Sequence, residues 1–497
     1  MATTDIPLEY DACVIGAGVA GLNAVHSATC YLGPSDRMAL IDVRDGPGGM
    51  WRDTYDFVRL HQPHPMFTVG DIPWRRKFPP EYLASRSEVQ EQFEHCLTEL
   101  ADRVPLDTRF GHRYLSHEEH ADHVTVTFER IEDGARLELR TKRLIKAISY
   151  DVHPSQPLAF TSDRVRSLTP HDLTGEPGTD DTPVVIVGGG KTAMDTAHHL
   201  IKRFPGRDVR MVIGDGVIFL NRDLIYPVGR RRWTRGTLPA ACFLLLAGAY
   251  DGTDPAVPID RLRKWGGLAI NEHPRQFQFG NISPAEVDVI LQGVSSVTED
   301  RLVDVVDDGD GAALQLRDGP LVPVPAGTWI VNCTGYIFRS GAGPVEPYVS
   351  VGGKVLSING TSTVIFLGSF AGYFLTHLMF RGLLDKVPLY QIPLDHLARD
   401  AKENVGAAGS SQAVLNQLLL LKALPLKVFQ DCRLDYNQWY PLPRQLPVLA
   451  RQMINSRRYQ AQCREALDEL GRRTGLDIGP LAHVVARSAA SPVGEPV

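Results

Sequence analysis

Two stretches of the chain constrain its fold more than any other, because each runs strand, glycine turn and helix without interruption. The first is Ala12-Cys13-Val14-Ile15-Gly16-Ala17-Gly18-Val19-Ala20-Gly21. A helix-compatible run to about Cys30 follows it, then a second apolar strand, Met38 to Ile41, ending at Asp42. The other is Val184-Val185-Ile186-Val187-Gly188-Gly189-Gly190-Lys191-Thr192-Ala193, with a helical run to Pro205-Gly206 and a strand from Val209 to Ile213. Strand, helix and returning strand make a βαβ unit. Two such units roughly 170 residues apart predict two dinucleotide sites.

The spacing Gly16-x-Gly18-x-x-Gly21 works through backbone geometry. Gly16 permits the tight turn, Gly18 lets the main chain approach a pyrophosphate, and Gly21 packs the helix on the strand. The helix then turns its free N–H groups and positive dipole end toward the phosphates. Asp42, 21 residues past Gly21, stands where an acid accepts from ribose hydroxyls. An ordinary strand-end acid is the alternative reading. Gly188-x-Gly190-x-x-Ala193 has the same mechanics, with an alanine third that NADP sites commonly tolerate. Gly214-Asp215-Gly216 follows its second strand, without an adjacent Arg for a 2′-phosphate. Lys191, Arg222 and the run Arg230-Arg231-Arg232 remain as candidates, each equally readable as a solvated charge.

Composition narrows the class. The 497 residues suffice for two to four domains, and 43% hydrophobic with 22% charged residues is a globular mixture. With 52 basic against 58 acidic residues, no basic excess exists to neutralise phosphates, which excludes a nucleic-acid partner. The longest apolar run, Leu238 to Tyr250, is shorter than the ~20 residues of a membrane span. The N-terminus lacks a basic stretch ahead of its first strand, so no signal peptide and a cytoplasmic location are expected. Seven scattered cysteines, none in CxxC spacing, offer neither a disulfide framework nor a zinc cluster nor a redox-active dithiol. No histidine or carboxylate spacing argues for a metal.

The remaining segments place these units. Residues 54–80, rich in Pro, His and Trp, read as irregular loop over a site; 86–103 read as helix and 123–149 as strands. Residues 150–180 read as an interdomain crossing. Residues 227–285 read as an irregular insertion carrying the Arg run. Strands are predicted near 313–317, from Thr328 to Asn332 and from Val364 to Leu367. From Gly372 the pattern is mainly helical, with Leu415 to Leu421 as a buried or interface helix. The fold class is therefore α/β: two Rossmann-like dinucleotide-binding domains, the second inserted into the first, plus a mainly helical C-terminal region. The divisions are 8–150 and 336–385 for the first domain, 151–180 as linker, 181–335 for the second, and 386–497 for the helical region.

Gly48-Gly49-Met50-Trp51 follows Asp42, and Asn332-Cys333-Thr334-Gly335-Tyr336 closes the second unit. With the two glycine loops and the acid, these residues resemble the class B flavoprotein monooxygenases, which include flavin-containing monooxygenases, N-hydroxylases and Baeyer–Villiger enzymes. The resemblance covers roughly residues 8–385. It implies FAD on Gly16, Gly18, Gly21 and Asp42, with Gly49, Trp51, His61 and Gln62 near the flavin ring. It implies NADPH, or NADH in its place, on Gly188, Gly190, Lys191, Thr192 and Ala193, with Thr334 and Gly335 in the segment leading back to the first domain. Gly368 would open a helix whose dipole favours negative charge on reduced flavin. The implied reaction uses O2 as co-substrate and inserts one oxygen atom into a small organic substrate through a C4a-(hydro)peroxyflavin. Homo-oligomerisation is compatible with all of this.

The departures are specific. Neither FxGxxxHxxxW nor FxGxxxHSxxY precedes the second glycine loop; Leu158 to Leu173 holds only Pro170-His171-Asp172. Ala147-Ile148-Ser149 replaces the usual Ala-Thr-Gly, and Gly368-Ser369 replaces a glycine–aspartate. An FAD/NAD(P)H oxidoreductase without oxygenation, and a nucleotide-binding protein without catalysis, are the alternatives. His61 falls where related enzymes place an Asn beside the flavin, and reads as a donor poised near its ~6.5 reference pKa or as a structural histidine. His64, His153, His171 and His377 read as structural or surface residues. Trp233, Phe277 and Phe279 are pocket candidates.

Overall fold

The protein is described by a computed structural model over residues 8–150, 152, 154–173, 181–335 and 343–490. His153 and Tyr336 lie outside these. The first sheet is parallel, its strands in spatial order Val355–Asn359, Leu144–Ser149, Ala12–Ile15, Met38–Ile41 and Leu106–Arg109. Every residue of Ala12–Ile15 and Met38–Ile41 is buried, as strands covered on both faces require. A second, mostly antiparallel sheet (His112–Glu119, Val124–Arg130, Arg136–Thr141 and Leu8–Tyr10) covers one face, packing Val124, Val126 and Phe128 on Cys13, Ile15 and Ile41. Helices Val19–Thr29 and Gly368–Phe380 cover the other. They cross in backbone contact: a Cβ on Gly372 would lie 2.0 Å from the Ala20 carbonyl oxygen.

Between Leu144–Ser149 and Val355–Asn359 the chain builds another parallel sheet. Its strands are, in spatial order, Ser296–Thr298, Val209–Val212, Val184–Val187, Trp329–Asn332 and Arg166–Leu168. The second unit is thus inserted into the first, as the sequence predicts. Arg166–Leu168, inside the expected linker, is the edge strand of this sheet.

Two expectations are corrected. Residues 227–285 are not irregular: they form helices Pro239–Ala247 and Ala256–Trp265 and the strand Gln276–Ile282, which pairs in parallel with Val217–Asn221. Their order comes from long-range packing, since Pro239–Ala247 lies against the buried helix Val405–Ala423. Val364 to Leu367 is not a strand; the strand is Val355–Asn359, and Ile365, Phe366 and Leu367 are apolar because they line a cavity. No helix of the described residues is long and apolar enough to cross a membrane.

Candidate active site

Each glycine turn sits at the C-terminal end of a central parallel strand, where open α/β sheets bind ligands. Gly16 has φ +100°, and a Cβ there would lie 2.6 Å from the Ala147 carbonyl oxygen. A Cβ on Gly21 would fall 1.7 Å from the Gly16 carbonyl oxygen, so only glycine lets the helix start this close to the turn. The Asp42 carboxylate accepts from the Ala17 N–H (2.6 Å) and the Arg44 N–H (2.8 Å), while burial pushes its pKa up. Each oxygen keeps a lone pair for a ribose hydroxyl. The Gly48 N–H donates to the Ala17 carbonyl (2.9 Å) and Gly49 rests on Gly18, so the two glycine segments form one backbone cradle.

Trp51 packs on Phe67, and its carbonyl accepts from Arg86 (3.1 Å) and Gln90 (2.7 Å), the geometry of a loop anchor. Ser149, where the family pattern has glycine, nonetheless has φ +58°. The substitution keeps the turn that glycine would make. Gly368 begins its helix directly beside it, where a Cβ would meet Ser149 Oγ at 3.2 Å.

The second turn repeats the geometry. Gly188 has φ +133° and abuts the Cys333 carbonyl, Ala193 is buried against the sheet, and a cavity of about 590 Å³ opens over Gly188, Gly190, Lys191, Thr192, Thr334 and Gly335. Gly190 faces open space, with Gln278 Oε1 the nearest atom to a Cβ at 3.7 Å. Two of the cations read as candidates for a 2′-phosphate carry ion pairs, Lys191 while lining this cavity. Lys191 pairs with Asp195, which also accepts from Tyr55 Oη (3.1 Å). Arg222 pairs with Glu286, where burial is outweighed by Arg222 and Lys191, and the carboxyl is lowered to about 2. Arg230, Arg231 and Arg232 line neither this cavity nor its neighbour. Asp215 lines the cavity and pairs with Arg301.

A second cavity, of about 320 Å³, adjoins it and is walled by Phe279, Phe366, Phe370, Phe374, Phe429 and Tyr436 among others. His61 and Gln278 are the residues that line both cavities. The His61 Nδ1 accepts from the Asn281 backbone N–H (3.1 Å), which puts the ring proton on Nε2. Burial, with Lys191 and Arg222 adding repulsion, lowers its pKa to about 3. This corrects the expectation of a histidine poised near 6.5: His61 is neutral at pH 7. Gln62, beside it, is buried with Oε1 unpartnered.

Phe279 lines the apolar cavity at φ +60°; among the described residues Phe279 and Ser149 are the non-glycine residues with positive φ, and both line cavities. Phe277 is buried and Trp233 is 58% exposed, outside both cavities. Gln278, Asn281, Phe370 and Asp435, which also line this region, carried no sequence signal, because no motif surrounds them.

The arrangement is a fold of two Rossmann-like units, one inserted into the other, similar to solved flavoprotein monooxygenases and disulfide reductases. Among solved structures, the open form of cyclohexanone monooxygenase is similar to this chain with a TM-score of 0.50 and 15% identity, covering 84% of this chain and 98% of that one. An ornithine N-hydroxylase from Kutzneria sp. 744 has a TM-score of 0.48 and 13% identity over 76% of this chain and 99% of its own. A bacillithiol disulfide reductase from Bacillus cereus has a TM-score of 0.44 and 12% identity over 76% and 99%. An uncharacterized protein of Mycobacterium tuberculosis is 28% identical over 211 residues, 39% of this chain and 36% of that protein, so the match spans about a third of the relative's length. No family model matches the chain.

Proposed function

We propose that the protein is an FAD-dependent, NAD(P)H-using monooxygenase that oxygenates a small organic molecule. The observation that carries this reading is the junction at His61 and Gln278, where the cavity over the second glycine turn meets an apolar cavity. A nicotinamide in one and a substrate in the other would approach a common point.

FAD, when bound, supplies hydride acceptance from NAD(P)H and activation of O2; the chain supplies placement, hydrogen bonds and dryness. The Gly16–Gly21 turn and Asp42 would hold the ADP half of FAD, and Gln62 would offer its unpartnered Oε1 as an acceptor. Gly188, Gly190, Thr192 and the end of helix Lys191–Arg203 hold the nicotinamide cofactor. His61 donates from Nε2 at the junction. The aromatic wall excludes water that would otherwise quench an activated oxygen species. Disulfide reduction is poorly supported: six of the seven cysteines are buried, and burial raises the Cys96, Cys242, Cys333, Cys432 and Cys463 thiols to about 12. The domain divisions at 150, 180, 335 and 385 and a cytoplasmic location belong to the same proposal. Simultaneous measurement of O2 and NADPH consumption tests it: a substrate oxygenated one-to-one with both supports it, and hydride passed to an acceptor without O2 uptake refutes it.

A further inference from the structure

The wall of the apolar cavity opposite in sequence to the glycine motifs comes from the helical C-terminal region, and it carries one acid. Asp435 lines the cavity beside Tyr436, whose ring lies 5.4 Å from Phe370 and 6.2 Å from Tyr226, centroid to centroid. One carboxylate oxygen, Oδ1, accepts from the Asn437 backbone N–H (2.9 Å) and caps the short turn Tyr436–Trp439. Among the described residues no Lys, Arg or His forms an ion pair with this carboxylate. Desolvation pushes its pKa up, against the two hydrogen bonds from Asn437. A carboxylate in an aromatic cavity with no cation of its own is an incomplete pair, costly to keep charged until a positive group arrives. Aromatic faces within about 6 Å of a cation add to its attraction.

We propose that Asp435 is the cation anchor of the substrate cavity, selecting molecules that join an apolar body to an ammonium or similar positive group. The inference rests on the reading of this cavity as the substrate site and names the substrate class. The charged end sits at Asp435 and the apolar body along Phe370 and Phe374, in the cavity that His61 and Gln62 also line. Anchoring and reaction are then separated: the group held by Asp435 is not the group that is oxygenated, since a protonated nitrogen has no lone pair to attack an electrophilic oxygen.

The test is titration calorimetry of the full chain with phenylbutylammonium and with phenylbutanol, its neutral isostere, at pH 7. The wild type should bind the ammonium at least about tenfold more tightly than the alcohol. Asp435→Asn retains a good capping side chain and should erase that preference while leaving the melting temperature and alcohol binding in place. Asp435→Ser, another capping residue, should behave alike. Equal binding of the two probes by the wild type, no binding of either, or a preference that survives in Asp435→Asn overturns the anchor. FAD content and NADPH reduction, measured on the same samples, separate this from the proposed activity. A colourless protein that still discriminates the probes refutes the redox reading alone; a yellow, reducible protein without discrimination refutes the anchor alone.

Discussion

His61 shows how far a single residue's role depends on neighbours remote in sequence. Its place in a loop over a site was legible, and it lines both cavities. Its protonation state was not legible, because burial, then the charges of Lys191 and Arg222 and the Asn281 N–H, set it from the tertiary structure. With its proton on Nε2 and a pKa lowered to about 3, His61 is a neutral donor throughout the physiological range. A hydrogen bond lost to a charged group is worth ~1.5–3 kcal/mol, or roughly tenfold to more than a hundredfold in a rate. His61→Ala should therefore retain FAD and NADPH oxidation while diverting O2 to hydrogen peroxide, read as peroxide released per NADPH. In the wild type, the peroxide fraction should not titrate on account of His61 between pH 6 and 8. An inflection there that disappears in His61→Gln would show that this histidine does titrate in that range. An unchanged peroxide fraction in His61→Ala would mean that it merely braces the Asn281 backbone.

At the scale of elements, the two glycine turns separate structural from binding glycines. Gly188 touches the Cys333 carbonyl at left-handed φ, and Gly188→Ala should impair folding. Gly190 faces the cavity, with nothing closer to a Cβ than Gln278 Oε1 at 3.7 Å, so Gly190→Val should fold normally and fill the proposed nicotinamide site. We expect this variant to stay yellow and to bleach with dithionite, with stopped-flow reduction by NADPH slowed by orders of magnitude. Wild-type reduction rates would remove the nicotinamide assignment. These turns were legible because their constraint is local, fixed by spacing over six residues. The strand Gln276–Ile282 and helix Pro239–Ala247 were not, because their order comes from pairing with Val217–Asn221 and packing on Val405–Ala423. Ser149 lies between these cases: the loss of glycine was visible, but not the retained φ of +58°.

Across the whole molecule, burial holds several histidines below their ordinary range. His61 is lowered to about 3 and His377 to about 4, and His64, His171, His198 and His199 are lowered too. Desolvation is the leading cause in each. Unfolding restores a pKa near ~6.5, so below that pH the unfolded chain binds more protons. Their contribution to stability is complete above about pH 6.5 and is lost as pH falls toward 4 and below. The melting temperature should be level near pH 7 and fall between pH 6.5 and 4, and His377→Asn should make the fall shallower; an identical slope would exclude His377 as a contributor. At this scale the sequence announced the inserted second unit and a helical C-terminal region. It did not announce that this region closes the apolar cavity with Asp435 and Phe429, since a cavity wall has no periodicity of its own.

On the proposed reading, one chain holds a flavin on the first turn and receives hydride from a nucleotide on the second. Anaerobic mixing of the purified protein with NADPH, followed by admission of O2, tests it most directly. Noncovalent FAD should be released on denaturation, visible absorbance should be bleached by NADPH in the wild type but not in Gly190→Val, and the absorbance should recover when O2 enters. A protein that neither contains nor takes up FAD, or whose flavin is bleached by NADPH equally fast in Gly190→Val, would contradict it.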